Sequence, residues 1–174
     1  MGIDLSLKNI GITILTEAGL VIRTLTIKTE IEPKASSAQK TERLIYIANE
    51  IVGRIKEFRV KHIGIEDYAF NARYHAHQLG EIGGTIKTQV RLACSIYVSP
   101  VAIQASRKHV LGYGGSFGSK TDGKKNITKV VRDGYGVDVA NDHEADSFVV
   151  ARYTFDTAVA EEKEARELWE KRGT

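Results

Sequence analysis

The chain has 174 residues, 42% hydrophobic and 27% charged, with a formal net charge of +3, the make-up of one globular domain that fills one core and is short for two. No apolar run reaches the roughly 18 residues that a membrane span needs, and no charged N-terminal region leads into an apolar signal core, so the expected location is the cytoplasm, nucleoid or an organellar matrix. Cys94 is the only cysteine; this excludes an internal disulfide and a multi-cysteine zinc site, and Cys94 reads as a small core residue.

The chain opens with a short strand, Gly2-Ile3-Asp4-Leu5-Ser6, then a turn at Leu7-Lys8-Asn9 and a second strand, Ile10 to Leu15, with apolar residues at every second position. Glu17-Ala18-Gly19 signals another turn, and Leu20 to Ile27 completes an antiparallel meander. Thr29 to Ser37 contains Pro33 and small polar residues and reads as a loop. Leu44, Ile47, Ala48, Ile51, Val52, Ile55 and Phe58 then recur at helical spacing, which predicts a helix from about Ala38 to Phe58 covering one sheet face.

His62 to Asp67 is a fourth strand, and its arrival by a helical crossover implies parallel pairing. Glu66 falls at its C-terminal end, where open α/β sheets place their ligands. A second helix is expected from about His75 to Ala93. Its Gly80, Gly83 and Gly84 thin the side chains along one stretch, as where another backbone, such as a partner subunit, comes close. Ser95 to Ile103 is a fifth strand interrupted by Pro100, which suits an edge or a strand end. Ser106 to Leu111 suits a short helix, Gly112 to Gly123 with its five glycines a mobile loop, and Lys124 to Tyr135 a further helix. Asn141-Asp142-His143-Glu144-Ala145-Asp146 opens the last helix, on which Ala145, Phe148, Val149 and Arg152 share a stripe.

Charge is uneven. Gln104 to Tyr135 carries seven Lys or Arg (Arg107, Lys108, Lys120, Lys124, Lys125, Lys129, Arg132) against Asp122 and Asp133, a net +5. Interleaved with glycines, Tyr113 and Phe117, this block suits a polyanion such as nucleic acid; a solvated lysine-rich loop explains it equally well.

Three places offer a carboxylate where an apolar element begins or ends: Asp4, Glu66 and the Asp142 to Asp146 cluster. Glu66 has an ordinary explanation as a solvated strand end, and Asp142 as an N-cap favoured by the helix dipole. Asp4 is harder to dismiss, because an unpaired charge inside an opening strand costs several kcal/mol. Carboxylates that converge repel each other, and a divalent cation with oxygen ligands, Mg²⁺ or Mn²⁺, is what stabilises such a cluster. Asp146 lies on one helix face with His143 or Asp142, and His143 adds a nitrogen that Mn²⁺ accepts. Two such ions about 4 Å apart activate water and stabilise the leaving oxygen of an in-line phosphodiester displacement.

In this order, Gly2-Ile3-Asp4-Leu5-Ser6, the Ile65-Glu66 strand end, the glycine-rich helix and Asp142-His143-Glu144-Ala145-Asp146-Ser147 resemble the RuvC family of Holliday-junction resolvases, from Gly2 to about Tyr153. The resemblance implies an RNase H-like α/β nuclease domain over residues 1–155, with a five-stranded mixed sheet and helices on both faces, followed by a helical extension over 156–174. It also implies a homodimer that makes paired symmetric nicks across a four-way DNA junction, using Mg²⁺ or Mn²⁺ as two ions per site. Carried over, it makes Asp4, Glu66 and Asp146 catalytic metal ligands, with His143 at the fourth position and the adjacent Asp142 an alternative for it. It puts Lys108 and Lys124 or Lys125 in the basic positions near the scissile phosphate, where they either offset developing charge or grip the backbone. DNA contacts are expected from Tyr68, Phe70, Arg73, Arg107, Lys108, Lys120, Lys124 and Lys125, Tyr68 and Phe70 standing where the family places a wedging aromatic. Leu168 and Trp169, beyond the match, are open to docking on the body or on a partner.

A less selective nuclease of the same fold, acting on branched DNA or RNA-DNA hybrids, is the alternative; oligomeric state separates the two, since paired cutting needs a dimer. An actin-like sugar or acetate kinase also opens with Gly-Ile-Asp but needs two such domains. A non-catalytic junction binder is expected to lack at least one of the carboxylates present here.

Overall fold

A computed structural model describes residues 1–30, 34–67, 76–113 and 120–172. Strands β1 (Gly2–Asp4), β2 (Asn9–Leu15), β3 (Val21–Lys28), β4 (Ile63–Glu66) and β5 (Val98–Val101) form one sheet in the order β3-β2-β1-β4-β5. β1 pairs antiparallel with β2 and parallel with β4, so the shortest strand is the centre of the sheet. β5 is an edge strand, which leaves room for Pro100 in the ladder.

The two faces of this sheet are made of different residues. Ile3, Ile10, Ile12, Ile14, Ile63 and Ile65 point one way and are almost fully buried. There they meet Ile47, Ile51 and Ile55 of α1 (Ser37–Glu57) and Ile82, Ile86 and Val90 of α2 (Ala76–Cys94). The alternate residues, Gly2, Asp4, Gly11, Thr13, Gly64 and Glu66, are small or polar and face α5 (Asp142–Arg172). A side chain on Gly2 would meet the Ala151 nitrogen at 2.1 Å, and one on Gly11 the His143 carbonyl oxygen at 2.0 Å. The glycines thus let a helix backbone lie directly on the strands. Thr13 and Ser147 close the gap with a buried hydroxyl pair at 2.8 Å.

A second apolar cluster joins α3 (Ile103–Leu111), α4 (Lys120–Tyr135) and α5 through Val110, Ile127, Val131, Ala145, Phe148 and Val149. Cys94 packs, half-buried, at the margin of the main core.

Several boundaries differ from expectation. β1 stops at Asp4 rather than Ser6, and Ser6 instead accepts from the Asn9 N–H to shape the turn. α2 runs on to Cys94 and leaves through Ser95 in the left-handed region (φ 59°), so β5 begins only at Val98. α4 starts at Lys120, not near Lys124; one interior glycine, Gly123, costs about 1 kcal/mol and does not stop a helix that is packed along its later turns. Of the expected glycine loop, residues 114–119 lie outside the described residues.

α5 has 31 residues, and it lies on the sheet as far as Thr154. Beyond Asp156 it is largely exposed: Leu168 and Trp169 are 50% and 80% exposed and do not dock on the body. Among the described residues, no helix is long and apolar enough to cross a membrane.

Candidate active site

The site forms at the C-terminal end of the two central parallel strands. The register sets Gly2 beside Gly64 and Ile3 beside Ile65, so the next pair brings Asp4 and Glu66 together on the α5 face. Their carboxyl groups lie close enough for each to act on the other's protonation. Across from them α5 begins, and its close approach over Gly11 delivers His143, whose Nδ1 lies 2.6 Å from Asp4 Oδ2. One turn on, Asp146 faces the same space.

The α5 terminus is held by two residues whose role was not legible as such. Asn141, not Asp142, is the N-cap: its Oδ1 accepts from the Glu144 N–H at 3.0 Å. The Glu144 carboxylate accepts from the Ala140 N–H and the Thr26 hydroxyl, both at 2.9 Å, tying the helix start to β3. The signal was present as an Asn followed three residues later by Glu, the pattern of a capping box. Glu144→Ala leaves both part-buried donors without their acceptor and is expected to cost roughly 1–2 kcal/mol, read as a fall in melting temperature of about 3–6 °C. An unchanged melting temperature would show that Glu144 does not hold the terminus.

Burial dominates the electrostatics. It raises Asp4 from 3.8 to about 7 and Glu66 from 4.5 to about 9, with Asp146 and Asp142 adding repulsion on Asp4, and Asp4 on Glu66. Asp146 is raised for the same reasons, burial first, then Glu66 and Asp142. The Arg107 guanidinium opposes the rise at all three. Arg107 comes from α3 and grips Asp146 directly: Nε and Nη2 donate to Oδ1 at 2.9 and 2.8 Å, and Nη2 donates to Oδ2 at 2.7 Å.

Asp4, Glu66, Asp142, His143 and Asp146 are therefore neighbours in space, although they lie up to 142 positions apart. Of the basic residues, the structure places Arg107 against the carboxylates, while Lys108, one residue on, is exposed. Lys120, Lys124 and Lys125 lie on the first turns of α4. Further along α4, Lys129 and Arg132 line a cleft of about 490 Å³ with Asn141 and Asp142 at the start of α5. Tyr68, Phe70 and Arg73 lie outside the described residues. Among the described residues, no three His, Cys, Asp or Glu side chains stand in a ready ligating arrangement; His143 holds Asp4 and Arg107 holds Asp146.

No protein-family model and no curated protein matches the sequence. Solved structures do match: Thermus thermophilus RuvC, with a TM-score of 0.67 at 18% identity, over 91% of this chain and 95% of that one. Thermus thermophilus RuvC in complex with Holliday junction substrate gives a TM-score of 0.63 at 14% identity, over 91% of this chain and 93% of that one. The chain has a RuvC-like fold. The RNase H-like α/β architecture expected from the sequence, a five-stranded mixed sheet with helices on both faces, is the architecture found. At these identities the match bears on the fold, and the chemistry rests on the residues themselves.

Proposed function

We propose that the chain is a structure-selective DNA endonuclease that resolves four-way junctions by metal-dependent hydrolysis, placing paired symmetric nicks. The observation that carries the reading is the convergence of Asp4, Glu66 and Asp146, from three separate segments, at one end of the central strands. The fold gives it context, because one solved protein of that fold is a RuvC in complex with Holliday junction substrate.

The donor set fits a hard divalent cation. Asp4 is buried, Glu66 and Asp146 are half-buried beside it, and the three repel one another, which is the setting that a cation with oxygen ligands relieves. Asp4, Glu66 and Asp146, with His143 or Asp142 as the fourth ligand, would hold Mg²⁺ or Mn²⁺, two ions per site. When bound, such ions polarise the phosphoryl oxygens and lower the pKa of water.

The chain's own groups do the rest. Burial pushes the Asp4 and Glu66 carboxyls up, so a cation bound there would have to displace protons that they hold when it is absent. His143 orients Asp4 through Nδ1, and its ring, 20% exposed, reaches solvent. Lys108 with Lys120, Lys124 and Lys125 grips the strand backbone, and the cleft beside Lys129 and Arg132 extends that grip toward Asp142. Binding of this kind weakens as salt rises. Cutting two strands at symmetric points calls for a homodimer. Gly84 of α2, exposed and with nothing of this chain within 4 Å of its missing Cβ, offers a face for the second copy.

The test is cleavage of a synthetic four-way junction beside a linear duplex and an RNA-DNA hybrid, in Mg²⁺, Mn²⁺ or EDTA, with Asp146→Asn as control. Paired symmetric nicks confined to the junction, dependent on metal and lost in the variant, are expected. Cutting of the hybrid or of every branched form would move the function to a less selective nuclease, and cutting of nothing would remove the enzyme reading.

A further inference from the structure

The grip of Arg107 on Asp146 goes beyond what DNA contact requires. Three hydrogen bonds from one guanidinium occupy both carboxylate oxygens, and the two side chains are only 22% and 14% exposed. The donor is fixed from behind: α3 is pinned by fully buried Ser106, whose hydroxyl donates to the Ile103 carbonyl at 2.9 Å, and by Val110 in the second core. Asp146 is equally fixed, because its neighbours Ala145 and Ser147 are fully buried under the sheet and α3. A fork between two rigid helices is a pre-formed partner for a buried charge, and a planar guanidinium satisfies a carboxylate as a lysine ammonium does not.

A carboxylate whose two oxygens are both engaged by a cationic side chain is not free to ligate a metal. We infer that Arg107 is a built-in counter-ion that holds Asp146 until a divalent cation takes its place, so that metal loading requires the fork to open. The inference rests on the reading of these carboxylates as the metal site. Two cations then compete for one carboxylate, and the fork lowers metal affinity while protecting the protein from an unpaired buried charge when metal is scarce. Once displaced, the guanidinium needs a new anion, and a phosphodiester arriving at the site supplies one. Metal and DNA would then each favour the other's binding, by the reciprocity that any such coupling obeys.

The experiment is a calorimetric titration of Mn²⁺ into metal-stripped wild-type protein, Arg107→Gln and Arg107→Lys, with melting temperatures in EDTA and in saturating Mn²⁺. Arg107→Gln is expected to bind Mn²⁺ roughly tenfold tighter than wild type, since a neighbouring positive charge is gone, with Arg107→Lys in between. The same variant should melt below wild type in EDTA and recover in Mn²⁺. Mn²⁺ affinity no tighter than wild type in folded Arg107→Gln would overturn the inference and make Arg107 a residue that merely orients Asp146. If Arg107→Gln does not fold in EDTA, Arg107→Lys decides: several-fold tighter binding supports the counter-ion, and unchanged binding overturns it. Wild-type junction cleavage, run alongside, separates the two readings, because cutting with unchanged affinity in the variants sinks the counter-ion alone.

Discussion

With Asp4 as a ligand of the proposed metal site, Asp4→Asn is expected to lower junction cleavage by roughly 10³-fold or more, because several kcal/mol of transition-state stabilisation would depend on the cation. The same substitution is expected to stabilise the metal-free protein above neutral pH. Burial raises Asp4 to about 7 and Glu66 to about 9, so the folded state holds these protons more tightly than the unfolded chain does. A carboxyl shifted upward contributes stability that is fully present below its unfolded pKa and is lost as pH rises through the folded one. The window therefore runs from 3.8 and 4.5, the ordinary values, to about 7 and about 9. Across it the metal-free wild type should lose on the order of a few kcal/mol per group, or on the order of 10 °C in melting temperature for a chain of this length. Asparagine at position 4 removes the buried charge and flattens part of that slope; Mg²⁺ added to wild type should flatten it too. Melting curves at pH 5 and pH 9, in EDTA and in Mg²⁺, check this. A wild-type melting temperature that does not fall toward pH 9 in EDTA would refute the linkage, and full cutting by Asp4→Asn would refute the ligand role.

Gly11→Ala should be among the most damaging single methyl additions to the molecule. The new carbon would lie 2.0 Å from the His143 carbonyl oxygen and 2.5 Å from its carbon, both backbone atoms that no rotamer change can move. Relief requires the start of α5 to lift from β2, which carries His143 and Asp146 away from Asp4 and Glu66. A loss of roughly 3 kcal/mol or more is expected, about 10 °C in melting temperature, together with weakened Mn²⁺ binding and loss of cutting. Gly53→Ala is the control. Gly53 is exposed on α1 with nothing within 4 Å of its missing Cβ, so alanine there should stabilise by about 1 kcal/mol. Equal melting temperatures for Gly11→Ala and wild type would mean that α5 does not rest on the strand as described.

Much of the architecture was readable because periodicity reports burial. The repeat from Leu44 to Phe58 located α1 to within about a residue at either end, since the apolar stripe is the face that packs. The crossover into Ile63–Glu66 implied a parallel partner, and Pro100 suited an edge or a strand end; β4 pairs parallel with β1, and β5 is an edge strand. Asp4 stood out because a charge in an apolar strand needs a partner, and it has three, Glu66, His143 and the field of Arg107. Less was readable where a contact depends on how two helices rotate against each other. Arg107 and Lys108 are adjacent in sequence, yet only the first points at Asp146, because neighbouring helical positions differ by about 100°. Asn141 and Asp142 are both good caps by composition, and only the path of the chain into α5 decides between them.

The sequence by itself determined the order of strands and helices and the presence of carboxylates at Asp4, Glu66 and Asp146, because alternation, helical spacing and the cost of a lone buried charge are local properties. It also contained, in the alternation of isoleucine with Gly2, Gly11 and Gly64, a sheet with one bulky and one bare face. What the tertiary structure alone decided is which element lies on the bare face, and hence which distant side chains meet. Once α5 settles over those glycines, its own rigidity sets His143 against Asp4 and turns Asp146 toward Arg107 of α3. That pairing is a product of helix packing, for which no spacing along the chain is a sufficient cause.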